Sequence, residues 1–210
     1  YKMQVAALME ALMEAEKKNI DVKLEIMLPL VSHVNEFKRL YDILKPEADK
    51  VLAGYTPKNK VLWGTMIELP RAALTSDKIA EHAEFFSFGT NDLTQATFGF
   101  SRDDVEGKFL LKYLDEFKPP IMEDNPFEHI DEAGVGRLIK ISTEEGRKAR
   151  EAKGGYLKVG ICGEVGGDPQ SIMFLQKCGL DYVSCSPFRI IAARVASAHA
   201  AIAMGAEKKK

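Results

Sequence analysis

Five short stretches of this chain are almost unbroken apolar runs: VKLEIMLPLV (22–31), KVLWGTMIEL (60–69), EFFSFG (84–89), KVGICG (158–163) and DYVSCS (181–186). None alternates strictly between apolar and polar residues, as a strand with one wet face would. Short runs of this kind, bounded by turn residues, read as strands buried on both faces. Segments of helical period separate them. Strands alternating with helices predict a parallel sheet covered by helices, and so an α/β fold.

The helical segments are legible one by one. The chain opens on Val5, Leu8, Met9, Leu12 and Met13, an apolar stripe with no capping residue before it. Tyr1 is therefore not expected to be a natural start. A second stripe is Val34, Phe37, Leu40, Tyr41 and Leu44. A helix is expected over 76–84 with Ser76 as its N-cap. Another opens on Asp168 as N-cap with Pro169 behind it and closes at Gly179. An alanine-rich helix is expected over about 188–204. Residues 101–150 break the rhythm with Pro119-Pro120, a charged loop and an amphipathic helix around Ile130, Val135, Leu138 and Ile139. A connection of that length is either a lid or a decorated surface loop.

Composition excludes several functions. The chain is 46% hydrophobic and 29% charged, with a formal net charge of −2. The positive residues are dispersed, except for the closing run Lys208-Lys209-Lys210, expected to be a solvated end, so no nucleic-acid partner is expected. Cys162, Cys178 and Cys185 are odd in number and form no C-x-x-C pair. A disulfide framework or structural zinc site is thus not expected, and the cysteines point to a reducing, cytoplasmic setting. No unbroken apolar run approaches the ~18 residues of a membrane span, so no membrane partner is expected.

In a parallel sheet with helical returns, the C-terminal strand ends share one face, where sites form. Here those ends carry Glu68; Gly89-Thr90-Asn91-Asp92; Cys162-Gly163-Glu164; and Ser184-Cys185-Ser186. Glu68 and Asp92 occupy matching places in one strand–helix–strand unit. If their strands are neighbours, those strands run ~5 Å apart. Two carboxylates meeting in a partly dry site repel unless neutralised, and a hard dication does this simply. Mg²⁺ takes one or two carboxylates and leaves its other positions to water and substrate oxygens. The alternative is that either acid merely caps a helix. Gly89 to Asp92 precede residues able to start a helix, whose amides can hold an anion. Cys162, beside Gly163 at a strand exit, could move a proton, or could be a buried structural thiol. Cys185 rivals it by position. The four histidines, His33, His82, His129 and His199, read as surface or core residues.

Four longer blocks then carry a resemblance: GTMIELPRAALTSDKIA (64–80), FFSFGTNDLTQATFGFSRDD (85–104), GICGEVGGDP (160–169) and DYVSCSPFRIIAARVA (181–196). Together they resemble the C-terminal part of the pyruvate phosphate dikinases, a branch of the phosphoenolpyruvate-utilising enzymes. Phosphoenolpyruvate synthase and the first enzyme of the sugar phosphotransferase system carry similar blocks and remain alternatives. A non-catalytic dimerisation module is an alternative of another class. The resemblance implies a TIM-type (β/α)8 barrel that binds phosphoenolpyruvate or pyruvate with Mg²⁺. It implies Glu68 and Asp92 as metal ligands, and Glu68, Gly89, Thr90, Asn91 and Asp92 as substrate-binding residues. It selects Cys162 over Cys185 as the proton donor to the enolate carbon. Val165 stands where the resemblance leads one to expect a polar residue, and could alter the rim of the site.

A TIM barrel needs eight strands and ~250 residues. The five runs match the fourth to eighth strands, so residues 1–210 are expected to be one C-terminal portion of the barrel. The family's ATP-binding domain, phosphohistidine domain and two substrate-binding arginines have no counterpart here. The portion alone is therefore expected to lack full activity, with the phosphohistidine domain as its partner in the parent enzyme. Unpaired strand edges and the family's habit both point to a homodimer.

Overall fold

A computed structural model describes residues 1–207, so the closing lysine run lies outside the described residues. All five apolar runs form strands: β1 (Glu25–Leu28), β2 (Leu62–Ile67), β3 (Phe85–Gly89), β4 (Lys158–Cys162) and β5 (Tyr182–Val183). They pair in chain order, β1-β2-β3-β4-β5, and every pair is parallel. The helices are α1 (Lys2–Lys17), α2 (Val34–Val51), α3 (Pro70–Leu74), α4 (Ser76–Ala80), α5 (Thr90–Phe98), α6 (Arg102–Lys108), α7 (Val135–Glu151), α8 (Pro169–Lys177) and α9 (Ile190–Glu207).

The two faces of the sheet differ, because side chains alternate along each strand. One face presents Ile26, Leu28, Trp63, Ile67, Phe86, Phe88, Val159 and Ile161, all buried. These pack with Phe37, Leu44, Ile79, Ile139 and Leu175 from the helices into one continuous core. Each such aliphatic or aromatic side chain contributes ~1.5–3 kcal/mol on burial. The other face mixes Phe85, Met27 and Met66 with smaller or polar side chains. In register across it run Met66, Ser87, Gly160 and Tyr182.

That second face is the concave side, the hollow of the curled sheet. Lys158 on β4 reaches Glu25 on β1 at 2.7 Å. Three strand spacings separate the two, ~14 Å in a flat sheet. Curling of the sheet toward this face closes the distance.

Several expectations need correction. Burial on both faces holds for β3, all five residues of which are buried, but not for the outer strands. Met27 on β1 is 40% exposed, and both residues of β5 are half-buried. Each outer strand has a neighbour on one side only, so its hollow-facing side chains lack a full set of partners. The single helix expected over 76–84 is two short ones. Pro70 starts α3, and Thr75 leaves helical geometry at φ −126° while its hydroxyl donates to the Arg71 carbonyl. Ser76 therefore lies inside α4, with Thr75 before it. Glu84 is past the helix, and its carboxylate accepts from the Trp63 amide at 3.0 Å.

Asp168 caps α8 as expected, accepting from the Ser171 amide at 2.8 Å. His33 does more than fill surface. Its Nδ1 accepts from the Asn35 amide at 3.0 Å, making it the N-cap of α2. His129 Nδ1 lies 3.2 Å from the Asp168 carboxylate. The long connection holds its own small core of Val105, Leu110 and Phe127 under Phe100, Phe109, Leu114 and Met122.

The last helix forms where expected and is mostly exposed: over Pro187–Gly205 it is long and apolar enough, by length and composition alone, for a membrane span, though Arg189 and Arg194 lie within it. Alanines raise its mean hydropathy; an unbroken run of large apolar residues is not needed for that.

Candidate active site

The strand register places the C-terminal ends of β2, β3 and β4 side by side. Gly89 lies opposite Cys162, and Ile67 lies opposite Phe88, one residue short of Glu68. Alternation puts Glu68 on the hollow side with Met66, and Cys162 there with Gly160. Glu68, Gly89 and Cys162 thus form the top row of the hollow.

Glu68 is 2% exposed. Its Oε1 accepts from the Leu30 amide at 2.7 Å. Its Oε2 lies over Gly89, where a β-carbon would be only 2.4 Å away. Glycine is required at 89 because the carboxylate crosses that backbone. The Asp92 carboxyl is within hydrogen-bonding reach of Glu68. Burial raises the pKa of Glu68, the Leu30 amide pulls it down, and the neighbouring Asp92 charge raises it again.

Asp92 arrives from the first turn of α5, which starts at Thr90, directly after β3. The helix begins earlier than at Leu93, so Thr90, Asn91 and Asp92 are helical residues. The Thr90 hydroxyl donates to the Cys162 carbonyl at 3.0 Å and ties the ends of β3 and β4 together.

Cys162 is half-buried, and its thiol donates to the Phe88 carbonyl at 3.5 Å. Burial pushes its pKa up; the Ser87 hydroxyl works against this; the Glu68 and Asp92 charges add to the rise. The thiol therefore keeps its proton at neutral pH. Cys185 does not share this place: it packs with Ile172, Ala193 and Ala196 under α9. Cys178 is buried, and its pKa is pushed up to about 11 by that burial.

Two neighbours of Cys162 escaped the sequence reading. Ser87 sits one row below Gly89 on β3, 2% exposed, and its hydroxyl is near enough to Cys162 and Tyr182 to lower the pKa of both. Tyr182 lies across Gly160, where a β-carbon would meet the ring at 2.1 Å. Alternation was the signal: Ser87 must face the same way as Gly89, and Gly160 the same way as Cys162. Val165, expected on the rim, is instead buried at 1% exposure in the main core.

The donor set bears on a metal. Among the described residues, no group of three or more His, Cys, Asp or Glu side chains is gathered for one. Two convergent carboxylates, one of them buried, fit a dication that completes its shell with water and substrate oxygens, as Mg²⁺ does. They do not fit an all-protein cage.

Comparison with known proteins places the chain in a family. Residues 1–202 match the family described as PEP-utilising enzyme, PEP-binding domain. "Pyruvate, phosphate dikinase 1, chloroplastic" of Arabidopsis thaliana is 53% identical over 204 residues, 96% of this chain and 20% of that protein. "Pyruvate, phosphate dikinase" of Clostridium symbiosum is 52% identical over 202 residues, 96% of this chain and 22% of that protein. The protein of that name from Rickettsia bellii is 50% identical over 206 residues, covering 98% and 23%. The chain thus spans about a fifth of the length of these relatives. A citrate lyase structure from Burkholderia xenovorans shares the fold at a TM-score of 0.50 and 19% identity, over 82% of this chain and 48% of that one. On the family match and on half-identity to dikinases across nearly its whole length, this chain belongs to the PEP-utilising enzymes, through their PEP-binding domain.

Proposed function

We propose that this chain is the phosphoenolpyruvate/pyruvate-handling part of a pyruvate, phosphate dikinase. The parent reaction interconverts ATP, pyruvate and phosphate with AMP, phosphoenolpyruvate and diphosphate. The observation that carries the reading is one rim holding a buried carboxylate, Glu68, a second, Asp92, from the first turn of α5, and the Cys162 thiol on the strand that pairs with β3. The five curled strands are then the fourth to eighth of a (β/α)8 barrel, whose sites lie at this end.

The residues divide the work. Glu68 and Asp92 would hold Mg²⁺, which supplies Lewis-acid stabilisation of negative charge on the substrate's enol oxygen. The amides at the start of α5, with the Asn91 side chain, orient the substrate's anionic end. Cys162 gives its Sγ proton to the enolate's terminal carbon, forming the methyl group of pyruvate and leaving a thiolate. In the other direction the thiolate takes that proton back. Ser87, whose hydroxyl lowers the pKa of the thiol, would favour the thiolate that this step leaves. The phosphoryl group is exchanged with a histidine on a separate domain of the parent enzyme. Two copies of the parent are expected to pair.

Oxalate mimics the enolate, so calorimetry with oxalate is the direct test. Binding should require Mg²⁺ and disappear in Glu68→Gln and in Asp92→Asn. Equal oxalate binding without Mg²⁺, or undiminished binding in Glu68→Gln, would overturn the reading.

A further inference from the structure

The turn after β1 makes an odd commitment to Glu68. Leu30 adopts a left-handed backbone, φ +52°, which non-glycine residues rarely do. Its side chain is 60% exposed, so packing of that side chain does not hold the conformation. The conformation instead delivers the Leu30 amide to Glu68 Oε1 at 2.7 Å.

The rest of the turn is fastened on both sides. The Glu36 carboxylate accepts from the Ser32 amide at 2.7 Å, the Ser32 hydroxyl at 2.9 Å and the His33 amide at 2.9 Å. The Arg71 guanidinium donates to the Ser32 carbonyl at 2.5 Å. Arg71 stands three residues after Glu68, on α3. The same short segment therefore supplies the carboxylate and grips the turn that restrains it.

The consequence concerns how many oxygens Glu68 can offer. Oε1 is already engaged by a backbone donor. Oε2 lies over Gly89, and the Asp92 carboxyl is close to the same carboxylate. With Oε1 tied to a backbone donor, Oε2 is the oxygen more freely offered to a metal. Mg²⁺ is small and takes carboxylates through single oxygens in a strict octahedron, whereas Ca²⁺ readily takes both oxygens of one carboxylate.

We infer that the Leu30 amide, held by Arg71 and Glu36, restricts Glu68 to single-oxygen ligation and so biases the site toward a small octahedral dication over Ca²⁺. Arg71 and Glu36 are positioning residues, because they act through the turn and not on the metal. The inference rests on the proposed metal role of Glu68 and Asp92, and adds a selectivity device to it.

The test replaces leucine 30 by leucic acid in the 210-residue chain, exchanging the amide N–H for an ester oxygen while keeping every side chain. Mn²⁺ serves as the probe, its free and bound forms counted by electron paramagnetic resonance, with Mg²⁺ and Ca²⁺ as competitors. In the ester variant Ca²⁺ should gain on Mg²⁺ by about tenfold, the size of one hydrogen bond to a charged group. Arg71→Met should move the ratio the same way and Arg71→Lys should restore it, with the circular dichroism spectrum unchanged. Leu30→Gly, which keeps the N–H and relieves the backbone, should leave the ratio within about twofold of the starting chain. An ester variant with an unaltered Mg²⁺/Ca²⁺ ratio overturns the inference while leaving the metal site standing. Mn²⁺ binding that survives Glu68→Gln, or that is absent from the starting chain, overturns the metal reading and this inference together.

Discussion

At the scale of single residues, Cys162 shows how competing influences settle on one protonation state. Burial alone raises its pKa, since a thiolate is poorly solvated there; two nearby carboxylates raise it further; the Ser87 hydroxyl lowers it. The rise wins. A raised pKa means less thiolate at any given pH, so Cys162 should react slowly with iodoacetamide at pH 7. Its rate should climb only above the usual thiol range. Ser87→Ala removes the one opposing influence and should slow alkylation at pH 8 by several-fold, read by peptide mass spectrometry. Faster labelling in Ser87→Ala would show that access, not proton affinity, controls this thiol. Cys178 offers a linked stability prediction. Its folded pKa of about 11 lies above the ordinary value of 9.0. The stabilisation it contributes is complete below pH 9 and is lost as pH rises toward 11. The stability difference between the starting chain and Cys178→Val, from urea melts, should therefore shrink for the starting chain's advantage across that window.

At the scale of elements, α8 shows a cap with measurable value. Asp168 accepts from the Ser171 amide at 2.8 Å and the Ser171 hydroxyl at 2.6 Å, and Pro169 fixes the first turn. Asp168→Ala should cost about 1–2 kcal/mol of stability, seen in urea melts, with Asp168→Asn closer to neutral. This helix was fully legible in the sequence, because its start and stop signals are local. So was β3, whose apolar run is satisfied by burial on every side. What was illegible depended on tertiary partners. The break at Thr75 turns on a hydroxyl returning to the Arg71 carbonyl in place of a continuing helix. The exposure of Met27 depends on what lies beside β1, which no local pattern records. The left-handed Leu30 carries a residue type that gives no turn signal, and only the distant Glu68 explains it. Within the site, the gathering of Glu68, Gly89, Asp92 and Cys162 at one end was legible because strand ends in a parallel sheet collect on one face, but position alone left Cys185 as a rival to Cys162 until the resemblance chose between them. Ser87 and Tyr182 were passed over because a serine inside FFSFG and a tyrosine beside Asp181 look like ordinary strand residues until register sets them next to a thiol.

At the scale of the whole molecule, the surface carries a demand that the described residues do not meet. Phe188 is 98% exposed, Ile191 79%, Ile202 70% and Val195 50%, all on or just before α9. The inner side of α9 is occupied by α8 through Ala193 and Ala196, so these larger residues face outward on the other side. Arg189 and Arg194 in the same span make a bilayer a costly cover for it. A second copy of the same face would bury apolar surface without desolvating those charges, provided they sit at the rim. The sheet edges add to the demand, since β1 and β5 each have unpaired backbone groups on one side. Self-association through α9 should appear as a dimer by light scattering at micromolar concentration. Ile191→Glu places a charge in the middle of the patch and should shift the chain to monomer, because an unpaired buried charge costs several kcal/mol. Met27→Glu, on the opposite edge of the sheet, separates the two possible surfaces: it should leave an α9 dimer intact and disrupt association only if the open β1 edge is what pairs.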